Sequence, residues 1–273
     1  MAILGLLLLI GAGFALSGLV ASPPGEAGAR IDGTEDDDAL FGTDGNDTIR
    51  AFGGDDFVNG LGGDDLIDFG AANDDGTGGD GNDTLFGGTG NDLVVGGAGD
   101  DRVFLGDGND ASFNVVDLDP ALDSGNDFVR GGAGNDLIID TAGSDTLYGD
   151  TGDDRLDARD VTDPAGNPDL LFGGFGNDAL IGDAGDTMTG GTGADVFAAV
   201  LTAGGIPITV TDFDDLDRLE FIYPEGDPRP VVTLEQRGPD MLVLLDDQIA
   251  AIRERIPPEA IGPGQIALVA GRL

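Results

Sequence analysis

Gly78-Gly79-Asp80-Gly81-Asn82-Asp83-Thr84-Leu85-Phe86 runs without a gap into Gly87-Gly88-Thr89-Gly90-Asn91-Asp92-Leu93-Val94-Val95 and then Gly96-Gly97-Ala98-Gly99-Asp100-Asp101-Arg102-Val103-Phe104. All three blocks read G-G-x-G-[ND]-D-x-apolar-x. Followed outward, the sixth-position Asp recurs at Asp38, Asp47, Asp56, Asp65, Asp74, Asp83, Asp92, Asp101, Asp110 and Asp119, each nine residues after the last. The phase then slips by one residue to Asp127, Asp136, Asp145, Asp154 and Asp163, and further irregularities lead to Asp169 and Asp178, then Asp186 and Asp195. Self-similarity at a fixed short period is the signature of a solenoid.

Two positions after each Asp stands an apolar side chain: Leu40, Ile49, Val58, Ile67, Leu85, Val94 and Val103 in the first half, Val129, Ile138, Leu147, Leu156, Leu171, Leu180, Met188 and Phe197 in the second. Gly76, Ser112, Ala121 and Ala165 are the exceptions. One short apolar strand per repeat cannot bury itself, so successive strands must stack around a common narrow core. Glycine supplies the positive φ angles and close backbone approach that the intervening turns require. The stretches near Phe69–Thr77, Asn114–Ser124 and Ala158–Pro168 break the pattern and predict loops bulging from the roll.

Composition restricts the chemistry. The 273 residues include 50 Gly but only 13 Pro, with no strict three-residue period, which excludes collagen. Asp and Glu number 53 against 12 basic residues, all of them Arg, for a net charge of −41. Such a field repels nucleic acid, phosphorylated ligands and anionic membrane surfaces, and strains any compact state unless cations neutralise it. With no His and no Cys, histidine-based triads, zinc–thiolate sites and cysteine nucleophiles are closed. No P-loop is possible without Lys. EF-hand spacing fails at Asp117-x-Asp119, and no pair of carboxylates is singled out for glycosidase chemistry.

The turns themselves suit a hard divalent cation. Ca²⁺ takes six to eight oxygens, with backbone carbonyls as acceptable as carboxylates, whereas Mg²⁺ demands a stricter octahedron. These residues resemble the RTX, or haemolysin-type, calcium-binding nonapeptide repeats from about Ile31 to Ala198. The resemblance implies an all-β, right-handed parallel β-roll in which two nonapeptides make one turn. It implies several calcium ions held between neighbouring turns by loop carbonyls and the sixth-position Asp. That role carries over best to Asp83, Asp92, Asp101, Asp136 and Asp178, where the whole motif is present, and to Asp195, where Ala194 replaces the usual Asn or Asp. Asp47, Asp56, Asp65, Asp110, Asp127 and Asp154 sit in looser matches. Asp74, Asp119, Asp163 and Asp169 lack the glycines and are set aside as sites. Any single Asp here also reads as a solvated surface carboxylate.

The flanks differ. Ala2 to Ala21 carries no charged side chain and is long enough, as a helix, to cross a roughly 30 Å hydrocarbon core. Three readings stay open for segment 1–22: an uncleaved anchor or export segment, a cleaved signal, and a buried core helix. Residues 23–31 read as a linker, 32–198 as the roll, and 199–273 as a β-rich region capping its open end. Within that region Ile206–Phe213, Leu216–Tyr223, Val231–Gln236, Met241–Leu245, Gln248–Ile252 and Gln265–Ala270 are predicted strands, with a helix across Asp247–Ile256 as the competing reading. Thr211–Leu219 also resembles segments that follow the roll in secreted RTX proteins.

The reading is thus a secreted or surface-held calcium-binding protein with a structural or adhesive role and no catalytic site. Its partners are calcium ions and cell-surface or extracellular-matrix components, not nucleic acid, with membrane contact only through residues 2–21. A non-catalytic module for carbohydrate, ice or a protein partner is the alternative. The ninth position, Phe86, Val95, Phe104, Phe113, Arg130, Ile139, Tyr148, Asp157, is partly aromatic but irregular.

Overall fold

In a Gly/Asp-rich repeat of nine residues only the apolar position and its neighbours can form a strand, because the rest must turn. The computed structural model describes residues 19–21, 28–114, 125–160, 167–200, 207–224, 228–238, 240–246, 248–253 and 264–271. Throughout these, the chain alternates short strand and tight turn, and no helix occurs. The result is an all-β parallel solenoid of about nine turns.

Strands of successive nonapeptides fall in two different sheets. The first sheet runs, in spatial order, from Leu19–Ala21 through Ala39–Phe41, Phe57–Gly62, Asp75–Asp80, Leu93–Ala98 and Ala111–Asn114. It continues through Leu137–Asp140, Arg155–Asp157, Ala179–Gly182, Val196–Val200, Arg218–Pro224 and Ile266–Gly271. The second begins at Arg30–Asp32, Thr48–Arg50, Leu66–Ala71, Thr84–Thr89 and Arg102–Asp107. It passes through Phe128–Ala133, Thr146–Thr151, Leu170–Phe175, Thr187–Thr192 and Ile208–Val210 to Gln248–Arg253. Arg102 pairs with Thr84 in parallel, so one regular coil is eighteen residues, two nonapeptides.

The predicted apolar positions become two facing columns. Leu40, Val58, Val94, Ile138, Leu156 and Leu180 line the inside of the first sheet; Ile49, Ile67, Leu85, Val103, Leu147 and Leu171 line the second, each essentially inaccessible to water. Each such side chain contributes about 2 kcal/mol by leaving water. The core is one residue thick per sheet, so stability grows coil by coil rather than from a central cluster.

Several expectations are corrected here. Phe69–Thr77 does not bulge: Leu66–Ala71 and Asp75–Asp80 are strands in unbroken register. Gly76 leaves a hole in the first sheet's column, and the buried Phe69 ring fills it from the opposite sheet, lying where a Cβ on residue 76 would stand. At the second irregular stretch, Arg102 pairs with Phe128, twenty-six residues on, so the register absorbs the insertion; residues 115–124, including Asp119, lie outside the described residues. At the third, Thr146 pairs with Leu170, with 161–166 and Asp163 likewise outside.

At the N-terminus, the helix expected through Ala21 is not formed at Leu19–Ala21, which lies as a strand parallel to Ala39–Phe41. An end strand of a solenoid exposes a row of backbone donors and acceptors, and an apolar extended segment pairs with it readily. The rest of the expected helix, residues 2–18, lies outside the described residues. At the other end, Gln248–Arg253 is a strand where a helix was the competing reading. It lies parallel to Ile208–Val210 and antiparallel to Asp240–Leu245, which in turn pairs antiparallel with Val232–Arg237.

Candidate metal sites along the two turn edges

Each turn must stop one strand, reverse the chain and start the next strand in the other sheet. The second and fourth glycines of the motif do this at positive φ, for example Gly79 at 119° and Gly81 at 137°. Phe52, Leu61 and Asp150 occupy the second-glycine position at φ of 73–78°, and Ala72 the fourth at 96°, a left-handed conformation that costs a side-chain-bearing residue about 1–2 kcal/mol.

The sixth-position Asp carboxylates are buried and form two ladders, one along each edge of the roll. On the edge leading into the first sheet, Oδ1 of Asp56, Asp74, Asp92, Asp110, Asp136, Asp154, Asp178, Asp195 and Asp217 accepts the backbone N–H of the preceding Asp on that edge at 2.8–2.9 Å. On the other edge Asp65, Asp83, Asp101, Asp127, Asp145, Asp169 and Asp186 do the same at 2.7–3.0 Å. The fifth-position Asn or Asp forms a second, exposed ladder running the opposite way: the amide of Asn82 donates to Asp64 Oδ1, and that of Asp100 to Asn82 Oδ1. Each coil is therefore tied to its neighbours in both directions by side chains.

The other carboxylate oxygen distinguishes the turns. Oδ2 of Asp56, Asp65, Asp74, Asp83, Asp92, Asp110, Asp136, Asp154 and Asp178 is buried with no hydrogen-bond partner. At the ends of the ladders the protein itself supplies donors. Thr34 N–H binds Asp38 Oδ2, Thr43 binds both oxygens of Asp47, Asp183 N–H binds Asp186 Oδ2 and Asp214 N–H binds Asp217 Oδ2. In interior turns the orphan oxygen lies where a Cβ on the first glycine would stand. Gly60 faces Asp65 Oδ2 and the carbonyl oxygen of Gly78; Gly78 faces Asp83 Oδ2 and the carbonyl of Gly96; Gly149 faces Asp154 Oδ2 and the carbonyl of Gly173. The first glycine thus lets a carboxylate oxygen and a carbonyl oxygen of the next coil converge where any other residue would place its Cβ.

Electrostatics run against a cation-free state. Burial, first, and the neighbouring carboxylates, second, push these acids up against the opposing effect of the backbone N–H. Asp56, Asp83, Asp92, Asp136 and Asp195 rise to about 6 and Asp65, Asp74 and Asp154 to about 7. Asp169, pressed also by Asp186, rises to about 9. An ionised carboxylate out of water with an unsatisfied oxygen is unfavourable unless a proton or a cation completes it. Hard oxygen donors, one charge per turn and no nitrogen or sulfur ligand fit calcium.

Asp74 and Asp169, set aside from the sequence, stand in the ladders with the rest, and Asp217 extends the first edge beyond the repeat. Asp140 also escaped notice. It occupies the first-glycine position of its turn, and one oxygen each from Asp127, Asp140 and Asp145 lies within 4.8 Å of the others. Its signal was present as a departure: an acid where the motif asks for glycine.

The outer face of the second sheet carries a further pattern. Ring centroids of Phe86 and Phe104 lie 5.1 Å apart and stacked, followed by Phe104–Phe128 at 5.7 Å, Phe128–Tyr148 at 5.5 Å and Tyr148–Phe172 at 4.6 Å. The irregular ninth-position series in the sequence is two interleaved columns. Phe86, Phe104, Arg130, Tyr148 and Phe172 are neighbours on this face, while Val95, Phe113, Ile139 and Asp157 belong to the first sheet.

Comparison with protein families finds the RTX calcium-binding nonapeptide repeat in 4 copies, at residues 32–75, 77–111, 123–158 and 166–186. Comparison with curated proteins finds no match. Among solved structures, the chain is similar to the extracellular lipase LipA from Serratia marcescens, at 18% identity and a TM-score of 0.26, over 92% of this chain and 41% of that one. The chain thus spans about two fifths of the lipase's length. Such repeats bind calcium in a β-roll, and on the matched repeats and the roll that they form, this chain belongs to the RTX calcium-binding nonapeptide repeat family.

Proposed function

We propose that the protein is a secreted or surface-held calcium-binding β-roll whose folding is completed by extracellular calcium, with a structural or adhesive role and no catalytic step. The observation that carries this reading is the row of orphan Oδ2 oxygens at Asp56, Asp65, Asp74, Asp83, Asp92, Asp110, Asp136, Asp154 and Asp178. In this reading each of them, with a backbone carbonyl of a neighbouring coil, holds a cation between coils; Ala51, Phe69 and Leu105 stand at the first-glycine position before Asp56, Asp74 and Asp110. Asp101, Asp127 and Asp195 occupy equivalent ladder positions and are assigned the same role. Asp47 is assigned instead to closing the end of its ladder, because Thr43 occupies both of its oxygens.

The bound ion supplies positive charge where carboxylates are packed without counterions. The chain supplies the rest: Oδ1 fixes the register by holding the preceding coil's amide, and where the first position is glycine no side chain blocks the approach of carboxylate and carbonyl. Where calcium is scarce the carboxylates repel and the roll stays loose; where it is abundant, binding free energy becomes folding free energy. That coupling suits a chain that crosses from a calcium-poor to a calcium-rich compartment, with residues 2–18 as the contact to a membrane and surface or matrix components as partners.

Isothermal titration calorimetry of the full chain with CaCl₂ tests the assignment. Several ions per chain, with stoichiometry falling in Asp83→Asn and Asp154→Asn but not in Asp47→Asn, is the expected result. Equal loss in all three variants contradicts it. A second reading, a non-catalytic module that binds through a flat face, is favoured by the aromatic column on the second sheet.

A further inference from the structure

Between Gly28 and Val200 the large apolar side chains of the second sheet's strands stand most open to solvent: Leu66, Phe86, Leu170 and Phe175, at 39–66% exposure. Among the described residues, no strand of the first sheet in that span has one so exposed. The same face is nearly neutral on a chain of net charge −41. Between Thr84 and Phe175 its outward charges are Arg102, Arg130, Asp107 and Asp150, two of each sign. Arg130 and Asp150 form an ion pair with each other. Arg102 and Asp107 have no ion-pair partner among the described residues.

The face is shaped as a ridge beside a groove. The ridge is the aromatic column, in which Phe86 stacks on Phe104 and Tyr148 on Phe172, turning the edges of these rings to solvent, with the tilted Phe128 between the two pairs. That disfavours a sugar, which seeks a ring face. Beside it runs the column Gly88, Gly106, Gly132, Asp150 and Gly174, flat for want of side chains. Over it lies an open groove of about 530 Å³ bounded by Phe104, Arg130 and Phe175.

We propose that the occupant is a second copy of this chain, packed face to face about a two-fold axis parallel to the solenoid axis. Rotation about that axis reverses each strand over its own counterpart. The aromatic ridge of one copy then seats in the glycine groove of the other. The two rim columns also exchange. Residues Thr84, Arg102, Phe128, Thr146 and Leu170 on one rim meet Thr89, Asp107, Ala133, Thr151 and Phe175 on the other. Each meeting is compatible: Thr on Thr twice, the large Phe128 on the small Ala133, Leu170 on Phe175, and the unpaired Arg102 on the unpaired Asp107. An isologous interface needs this self-complementarity. The other face-to-face two-fold, parallel to the strands, lays each rim column and the aromatic ridge on itself, so the Arg102 rim never meets the Asp107 rim. The proposal uses the roll and its second sheet and is independent of which carboxylates hold calcium.

Sedimentation equilibrium and light scattering of the full chain in CaCl₂, over a concentration series, give the test. The expected mass is twice the 27.6 kDa protomer. Arg102→Asp and Asp107→Arg, each alone, are expected to weaken association by at least tenfold, and the double variant to restore it, with circular dichroism unchanged in all three. A monomeric wild-type chain at every concentration overturns the proposal. So does a dimer that the single variants leave intact, or one that the double variant fails to restore while its β signal is native.

Discussion

Replacing Asp83 by Asn separates the two effects that its carboxylate exerts. Oδ1 of Asp83 accepts the Asp65 amide at 2.7 Å, and an Asn oxygen preserves that bond. What changes is the buried orphan Oδ2, which becomes an uncharged NH₂. Burial pushes Asp83 from the ordinary 3.8 to about 6. At about 1.4 kcal/mol per unit, the ionised group therefore weighs against the calcium-free roll by about 3 kcal/mol above pH 6. A carboxyl whose folded pKa is raised destabilises where it is ionised. The penalty is full above about 6 and fades as pH falls through that value toward 3.8. In EDTA near neutral pH, Asp83→Asn should thus favour the roll over wild type by about 3 kcal/mol, seen as a larger β signal at low temperature that is lost at higher temperature. In saturating CaCl₂ the same variant loses a charged ligand and should unfold at a lower temperature than wild type, by about 1.4 kcal/mol for each tenfold loss of affinity. Melting followed by far-UV circular dichroism reads both arms, and repetition at about pH 4 in EDTA should shrink the gain. A variant less stable in both EDTA and calcium would refute the reasoning, since it would make Asp83 a purely structural hydrogen-bonding group.

Two further substitutions test the frame that carries the sites. Gly79→Ala places a Cβ at a φ of 119° and against the Leu61 carbonyl, and should lower stability by more than about 2 kcal/mol, whereas Gly238→Ala, at 64° with open space around it, should cost about 1 kcal/mol; denaturant titration in calcium compares them. Phe69→Ala should cost about 3–5 kcal/mol by opening a cavity across from Gly76, which the same denaturant titration reads.

The nine-residue period and its apolar position were legible because a solenoid repeats its local rules: the same spacing gives the same strand, turn and inward residue. What the period hides is which repeats touch. Read every nine residues, the ninth position is irregular; read every second repeat, it is a column from Phe86 to Phe172. The role of the fifth-position Asn or Asp, whose oxygen holds an amide of the next coil on the same edge, is invisible for the same reason. Asp74 was set aside because Phe69 and Ala72 stand where the motif has its first and fourth glycines. The backbone nonetheless adopts the turn, with Ala72 accepting a positive φ and Phe69 turning inward to replace the side chain that Gly76 lacks. A local departure from the motif was compensated across the core, which spacing alone does not reveal. The ends of the ladders were likewise hidden: Thr43 makes Asp47 a self-satisfied turn, and only hydrogen-bond geometry separates it from Asp65.

The central claim is that cations complete a roll whose own carboxylates oppose it. Far-UV circular dichroism of the full chain, titrated with CaCl₂ and reversed with EDTA, tests it most directly, with MgCl₂ at equal concentration as the control. A cooperative, reversible gain of β signal with calcium and not with magnesium is the predicted result. A spectrum equally β-rich in EDTA at neutral pH, unchanged by calcium, contradicts it.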